Sequence, residues 1–467
     1  MPTEAYPSVP AAPVKSFFVS MLTRDIRLED AILDLLDNCV DGVIRSKGAT
    51  GTKPFKDHWA HITFDRKKFV IEDNCGGIPW ELHDYAFRMG AEPGRKPEKT
   101  GTLGVYGIGL KRALFKMGQE STISTQSGKH AYIVGIPPTW IDDEKKWDLP
   151  VVPLAKRMPE DGTRIEVTDL HDGIAGRFDE DKAGFNADLE KLIATHYAYI
   201  IDKGFQVTVN EKHVRARGTK ILFSGGQQAR AGVNPYIFQA QQNGVSVFLA
   251  VGFTRPIPSK EEAEEAAQEM RRSSSDAGWT VLCNERAVIY CDKTEMTGWG
   301  EAAVPRYHTQ FIAISGVVSF RAANAMHLPT TTTKRGIDGS SSLYLRVKNK
   351  MREGMKLFTG NTNKWKERTA EAKAYADKAD LLSLEELQER VARLTMKKTD
   401  NALEGGAEYW PTLPEPKKTV TDVRRILFTR KLHEIQAVAE HLTGNPGMPP
   451  NDVGSKCFDE VLKEAGK

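Results

Sequence analysis

Two short stretches near the start of the chain carry polar side chains at spacings that could hold a ligand. Residues 34–42 read DLLDNCVDG and residues 72–79 read EDNCGGIP, so each contains an Asp-Asn-Cys triplet. Asp34, Asn38 and Asp41 recur at helical spacing and would share one helix face. A carboxylate and a carboxamide one turn apart can hold hydrated Mg²⁺, because hard cations prefer oxygen ligands. The alternative is a solvated acidic face on an amphipathic helix.

The second stretch places a carboxylate at the end of a hydrophobic run. Asp73 is followed by Asn74, Cys75 and the pair Gly76-Gly77. Such a carboxylate can accept a hydrogen bond from the amino group of a planar base, and the glycines allow the base to approach closely. An ordinary Gly-Gly turn is the alternative.

A third stretch, GTLGVYGIGLKRAL, combines glycines with a cation. Four glycines precede a helical pattern that carries Lys111: Gly101, Gly104, Gly107 and Gly109. Exposed N–H groups and a helix N-terminus suit a phosphate group. The stretch lacks the GxxxxGK[ST] pattern of a Walker A loop and the third glycine of a dinucleotide fingerprint.

The elements that must position these residues follow from hydrophobic periodicity. Apolar residues from Leu28 to Ile44 recur at i, i+3, i+4 and i+7, which predicts a helix. AHITF and KFVIED predict a strand pair, and LKRALFKMG predicts a helix that ends at Gly118. Further strands are expected at STISTQ, YIVGI and TRIEVTDL. The first two hundred or so residues therefore predict a mixed α+β domain.

Composition narrows the class of protein. The chain has 467 residues, 40% hydrophobic and 27% charged, with a formal net charge of +3, so several ordinary globular domains are expected and nucleic acid is neither required nor excluded. The five cysteines form no CxxC pair, which argues against a zinc site and favours a reducing, cytoplasmic location. No apolar run is long enough to cross a membrane.

Six regions are predicted along the chain. They are a flexible arm without a secretory signal (1–16), the α+β domain (17–215), a second α+β domain (216–345), a charged helical region (346–400), a linker (401–420) and a small helical module (421–467). Within the helical region, Ser383 and Glu386 form a capping-box pattern.

Together the three stretches resemble the nucleotide-binding domain of the GHKL ATPases, which include the gyrase B subunit, MutL, the ninety-kilodalton heat-shock chaperones, histidine kinases and MORC proteins. The family motifs stand here as D34-LLD-N38, D73-NCG-G77 and G104-VYGIGLK, followed by the Gly-Thr of G162-TRIEVTDL. The resemblance covers residues 17–210 and implies a Bergerat-type α/β sandwich that binds ATP and Mg²⁺.

The resemblance also implies a role for individual residues. Asn38 would ligate Mg²⁺, Asp73 would bind the adenine amino group, and Thr163 would support that contact. Asp34 would be the base that activates water. The remaining residues would shape the pocket and lid or touch phosphate, Lys111 above all: Gly77, Gly104, Gly107, Gly109, Leu110 and Lys111.

Two positions depart from the family pattern. The family usually has Glu where this chain has Asp34, and a base that is one methylene shorter reaches less far, which predicts slow hydrolysis. Cys75 stands where the first glycine of DxGxG is usual.

The second α+β domain resembles the transducer of the MutL, gyrase and MORC branches, and is closest to the MORC arrangement. In that arrangement a loop after a strand sends a lysine to the γ-phosphate. The corresponding stretch is HLPTTTTKRGID, which makes Lys334 the predicted phosphate sensor and Arg335 the second choice. A polar surface loop is the alternative.

The resemblance implies an ATP-gated clamp, in which the lid (residues 90–109) and the arm dimerise with a second copy. Phe17 and Phe18 would contact that copy or pack in the core. The C-terminal module is expected to bind a partner protein, or DNA through a basic cluster that could equally be a solvated face: Arg424, Arg425, Arg430 and Lys431. Three functions remain open: a clamp on DNA or in prokaryotic defence, a non-hydrolysing ATP-binding switch or scaffold, and a chaperone-like ATPase.

Overall fold

The computed structural model describes most of the chain. The described residues are 14–48, 51–90, 102–103, 107–144, 146–225, 232–269, 276–331, 334–399, 403–417 and 426–466. Two compact units divide between Pro416 and Lys417. In the parts of the chain that are described, no helix combines the length and apolar character needed to span a bilayer.

The first half of the larger unit is built on one sheet. Its elements are α1 (Lys15–Arg24), α2 (Leu28–Lys47), β1 (Trp59–Phe64), β2 (Phe69–Asp73), α3 (His83–Phe87), α4 (Gly109–Met117), β3 (Gly118–Ser127), β4 (His130–Ile136), α5 (Thr139–Asp142), β5 (Val151–Pro153), β6 (Gly162–Leu170), α6 (Asp172–Asp179), α7 (Lys182–His196), α8 (Ala198–Asp202), β7 (Gln206–Val209) and β8 (Lys212–His213). A short 3-10 turn covers Trp80–Leu82.

The eight strands follow the order β5-β4-β3-β6-β2-β1-β7-β8, and all neighbours are antiparallel except β1 and β7. The predicted strand pair is confirmed, with Ala60 opposite Asp73 and Phe64 opposite Phe69. Apolar residues of α2, α4 and α7 join those of the sheet in one buried core. This domain is therefore a helix-on-sheet sandwich, held mainly by burial of apolar surface.

The second half contains another sheet. Its elements are β9 (Ile221–Phe223), β10 (Tyr236–Gln242), β11 (Val245–Phe253), α9 (Lys260–Glu269), β12 (Gly278–Cys283), β13 (Arg286–Asp292), β14 (Ile314–Ala322), α10 (Ser342–Trp365), α11 (Thr369–Ala376), β15 (Asp380–Leu382), α12 (Leu384–Val391), β16 (Lys397–Lys398) and β17 (Glu404–Tyr409). Three 3-10 turns cover Glu295–Thr297, Thr309–Phe311 and Ala325–His327.

Seven strands follow the order β13-β12-β14-β11-β10-β17-β16, while β9 pairs with β15 in a separate ribbon. Apolar residues of α10 share one buried cluster with this sheet. A second cluster joins the sheet to α8 of the first domain and to α12. The predicted capping box is confirmed: Ser383 N–H donates to Glu386 Oε2 (2.7 Å), and the Ser383 hydroxyl accepts from Glu386 N–H (3.3 Å).

The boundaries of two predicted segments need correction. The expected arm lies outside the described residues up to Pro13, but Lys15 already begins α1. The Lys15 ammonium donates to the carbonyls of Trp140 and Lys146 (2.7 Å each), which holds this end of the helix against the domain. Residues 404–409 of the expected linker form β17, because they pair with β10. The Pro- and Gly-rich composition predicted a loop and gave no sign of this pairing.

The smaller unit contains α13 (Leu432–Thr443) and α14 (Pro450–Glu464), so the predicted helical C-terminal region is confirmed. Ala439 and Val453 are its buried apolar residues among those described. Several large apolar side chains remain exposed: Ile426, Leu427, Phe428, Leu432, Phe458, Val461 and Leu462.

Candidate functional site

Helix α2 places its acidic residues inside the protein rather than on a solvated face. The side chains of Asp34, Asp37 and Asp41 are buried, whereas Asn38 is exposed. Each buried carboxylate therefore needs a partner, since an unpaired buried charge is costly. Asp41 accepts a hydrogen bond from Leu103 N–H (2.5 Å), which ties α2 to the glycine-rich stretch.

Asp34, the predicted base, belongs to α2, and its side chain lies against the first residue of α4. Its carboxylate pairs with the Arg112 guanidinium. A β-carbon added to Gly109 would lie 3.4 Å from Asp34 Cβ, so the glycine sits directly against the aspartate. Asn38 follows Asp34 by one turn and presents its carboxamide to solvent. The structure thus places a buried carboxylate against the start of α4, with an exposed asparagine one turn further along α2.

Asp73 ends β2 opposite Thr163 on β6. Its Oδ1 accepts from Cys75 N–H (2.8 Å), and its Oδ2 lies 3.5 Å from the Cys39 thiol, a weak donor. Burial raises the pKa of Asp73 to about 6. The Thr163 hydroxyl lies 3.0 Å from that of Thr125, so both threonines line the same strand end.

Glycine is required where the chain turns beyond Asp73. Gly77 has φ +65°, and a β-carbon there would lie 2.0 Å from the Gln126 carbonyl oxygen. A β-carbon on Gly162 would lie 1.9 Å from the Asp73 carbonyl oxygen. Both distances are far below van der Waals contact, so no other residue fits this crossing of three strands without displacing the backbone.

Only part of the predicted lid can be placed. Gly104 and residues 91–101 lie outside the described residues. Gly107 has φ +64°, Gly109 begins α4, and Leu110 packs partly buried against the core. The ammonium of Lys111 is buried and donates to the carbonyls of Gly107 and Ala86 (2.9 Å to Ala86). Burial lowers the pKa of Lys111 to about 8.

Lys334, the predicted phosphate sensor, reaches α2 from the second domain. Its ammonium lies 2.8 Å from Asp37 Oδ2, and Asp37 immediately precedes Asn38. Arg335 lies against Asp30 at the beginning of the same helix. The loop is therefore docked on α2, and the alternative of a free polar surface loop does not describe these two residues.

Sequence reasoning missed four residues of this arrangement. Arg112 pairs with Asp34, while Arg286 and the Tyr197 hydroxyl contact Asp37 at 2.8 Å and 2.6 Å. His196 lies next to Tyr197, and its Nδ1 donates a hydrogen bond to the Ala287 carbonyl oxygen (2.5 Å). Burial lowers the pKa of His196 to about 4. Only Arg112, inside the LKRAL helix after the glycines, had a local signal. The others lie far from α2 in sequence.

The oxygen atoms on this part of α2 are of a type that fits a hydrated hard cation. Within the described ranges, no three His, Cys, Asp or Glu side chains form a metal-holding group. The Asn38 carboxamide and the Asp34 carboxylate supply oxygen atoms one helical turn apart. That is the ligand type Mg²⁺ takes when it keeps most of its waters.

The sandwich fold, the buried carboxylate at a strand end and the glycine-bounded helix start are the features from which the motifs predicted a nucleotide-binding domain. Residues 26–165 match the family model described as histidine kinase-, DNA gyrase B-, and HSP90-like ATPase. This part of the chain is an ATP-binding domain of the GHKL ATPase type, as its motifs predicted. The match includes Asp34, Asn38, Asp73 and Thr163, but ends before Lys334. No curated protein matches the chain.

Proposed function

We propose that the protein is a Mg²⁺-dependent ATPase in which ATP gates dimerisation, as in a MORC-like clamp. The observation that carries the proposal is the convergence on α2: Asp34 pairs with Arg112 of α4, Asn38 follows Asp34 by one turn, and Lys334 of the second domain forms an ion pair with the neighbouring Asp37. A lysine held beside the site by another domain can respond to the presence of a γ-phosphate.

Each residue then has a task. Asp73 accepts from the adenine amino group, with Thr163 beside it and Gly77 leaving room for the base. Asn38 ligates Mg²⁺, which when bound neutralises charge on the triphosphate. Lys111 and the N–H groups after Gly107 bind phosphate, while Gly104, Gly109 and Leu110 form the lid and its hinge. Asp34 orients the attacking water and accepts its proton.

Dimerisation and target are inferred from exposed surfaces. Phe17 is exposed on α1, whereas Phe18 packs edge-to-face on Trp147 (6.3 Å between ring centroids), so Phe17 is the better contact for a second copy. The exposed apolar residues of the smaller unit, Leu427 and Phe428 among them, favour a partner protein. Arg430 and Lys431 are exposed and are available to contact DNA, which keeps DNA as a second possible partner. Arg424 and Arg425 lie outside the described residues.

A non-hydrolysing ATP switch is the second candidate, and one contact favours it. Asp34 is both shorter than the usual glutamate and already paired with Arg112. A base engaged by a guanidinium must change partner before it can hold a water, and without that change ATP would be bound but not cleaved.

The test measures phosphate release from Mg-ATP by the full chain and by Asn38→Ala, Asp34→Ala and Lys334→Ala, with ADP binding as the control. An ATPase loses turnover in all three variants, while Asp34→Ala and Lys334→Ala still bind ADP. A switch binds nucleotide without phosphate release, and sedimentation with a non-hydrolysable triphosphate then shows whether it dimerises. Absence of nucleotide binding by the wild type contradicts both functions.

A further inference from the structure

Asp37 lies in the middle of α2. Among the described residues, it is the one side chain of α2 whose ion pairs connect this helix to both β13 and the Lys334 loop. Its carboxylate is fully buried. Arg286 Nε lies 2.8 Å from Oδ1, Lys334 Nζ lies 2.8 Å from Oδ2, and the Tyr197 hydroxyl donates to Oδ1 (2.6 Å). One negative charge is thus shared by two cations from the second domain.

Arg286 holds more than this carboxylate. Its Nη1 donates to the carbonyl oxygen of Lys334 (2.8 Å), and its Nε lies 3.3 Å from the Tyr197 hydroxyl. Lys334 has φ +54°, a conformation that residues with a side chain seldom adopt without support. The planar guanidinium, with several donors in fixed directions, can hold the Lys334 backbone and Asp37 at once.

The ionisation of the network is consistent with its geometry. Burial alone would raise the pKa of Asp37, but Arg286 and then Lys334 outweigh it and hold the pKa below its usual value. Burial opposes the charge on Arg286 as well, yet Asp37 and Tyr197 raise its pKa. The contact of 2.8 Å between Arg286 Nε and Asp37 Oδ1 thus places a cation beside the buried carboxylate.

Asp37 has two cationic partners, Arg286 and Lys334, and this allows one of them to move away. If Lys334 turns towards a triphosphate, Asp37 keeps Arg286 and Tyr197 as partners and is not left as an unpaired buried charge. If Arg286 were absent, the departure of Lys334 would strand the carboxylate, and the Lys334 backbone would lose a donor.

We propose that Arg286 is a positioning residue for phosphate sensing: it fixes the Lys334 loop on α2 and neutralises Asp37, so that the Lys334 ammonium is free to exchange Asp37 for the γ-phosphate. The proposal rests on the proposed function of Lys334. Arg286 lies outside the matched ATPase domain. Through Arg286 and Lys334, the second domain would distinguish ATP from ADP.

The experiment compares ADP with a non-hydrolysable ATP analogue, by calorimetric titration into the full-length wild type, Arg286→Gln and Lys203→Gln. Lys203 is the matched control, because it makes an ion pair across the same pair of domains with Glu285, the neighbour of Arg286. The wild type and Lys203→Gln should prefer the triphosphate. Arg286→Gln should lose about tenfold or more of that preference while its ADP affinity stays within about threefold, and its kcat should fall about 100-fold, as expected for a displaced group.

Two results overturn the inference alone. One is an unchanged triphosphate preference in Arg286→Gln while Lys334→Ala has lost it. The other is an equal loss of ADP and triphosphate affinity, which indicates a structural role only. If Arg286→Gln does not fold, the pair Arg286→Gln with Asp37→Asn removes both buried charges, and a retained preference there also overturns it. A wild type that binds neither nucleotide overturns the proposed function and this inference with it.

Discussion

The carboxylate of Asp34 and the guanidinium of Arg112 form a buried ion pair that joins α2 to α4. Their side chains are 3% and 10% exposed, so water screens the pair little. If the protein hydrolyses ATP as proposed, Asp34 must leave Arg112 before it can accept a proton from water, so breaking this ion pair would separate nucleotide binding from hydrolysis.

Substitution Asp34→Asn should lower the rate of phosphate release about 100-fold or more, because an amide cannot accept the proton of water. Nucleotide affinity should stay within a few fold, since the proposed adenine contact at Asp73 is untouched. Steady-state phosphate release and ADP titration measure the two effects. Glu120→Gln, at an exposed carboxylate on β3, is the control. Undiminished release by Asp34→Asn would show that another group is the base.

Gly77→Ala tests whether the turn after Asp73 is as crowded as the structure indicates. The added carbon would lie 2.0 Å from the Gln126 carbonyl oxygen, and φ is +65°. We expect a loss of about 2–5 kcal/mol in the free energy of unfolding, combining left-handed strain with overpacking. Gly128→Ala is the matched control, because φ there is +55° but no atom lies within 4 Å of the added carbon.

The control should lose only about 1–2 kcal/mol, the cost of the left-handed conformation. Urea unfolding monitored by circular dichroism measures both variants. Similar losses in the two would mean that the backbone at Gly77 relaxes away from Gln126, and that the turn is not fixed by packing.

The sequence predicted the parts of this site that depend on local patterns. The α2 helix, the β1–β2 pair and the glycines before α4 follow from periodicity and from residue types with special backbone preferences. It did not predict that Asp37 is buried, because an amphipathic helix is expected to turn its acids to solvent. Here α4, α7 and the Lys334 loop enclose α2, and the partners of Asp37 lie hundreds of residues away. Such pairings leave no trace in local spacing, and the same is true of β17.

The affinity for adenine nucleotides should fall below about pH 6, where Asp73 takes up a proton. Burial raises the pKa of Asp73 from its usual 3.8, so the nucleotide-free protein is protonated at a pH where the unfolded chain is not. This group therefore stabilises the nucleotide-free protein as the pH falls from about 6 to 4, the opposite of its effect on binding.

If the amino group of adenine requires the carboxylate, each pH unit below 6 should weaken binding by up to about tenfold. Fluorescence titration of an adenine nucleotide between pH 5 and 7.5, on the order of ten points, measures this. Asp73→Asn should bind weakly with a flat profile over this range. A flat profile in the wild type would argue that Asp73 does not contact the base.

The affinity for the triphosphate should fall at the opposite end of the pH range, above about pH 8, where the buried ammonium of Lys111 loses its proton. Burial lowers the pKa of Lys111, so the folded protein releases this proton before the unfolded chain does, and stability rises with pH from about 8 while phosphate binding weakens. Adenosine, which has no phosphate, should bind equally well across this range. Titration of both ligands at pH 7, 8 and 9, about one unit apart, distinguishes a loss of phosphate binding from a loss of adenosine binding. A parallel loss of adenosine binding would trace the alkaline change to the base pocket rather than to Lys111.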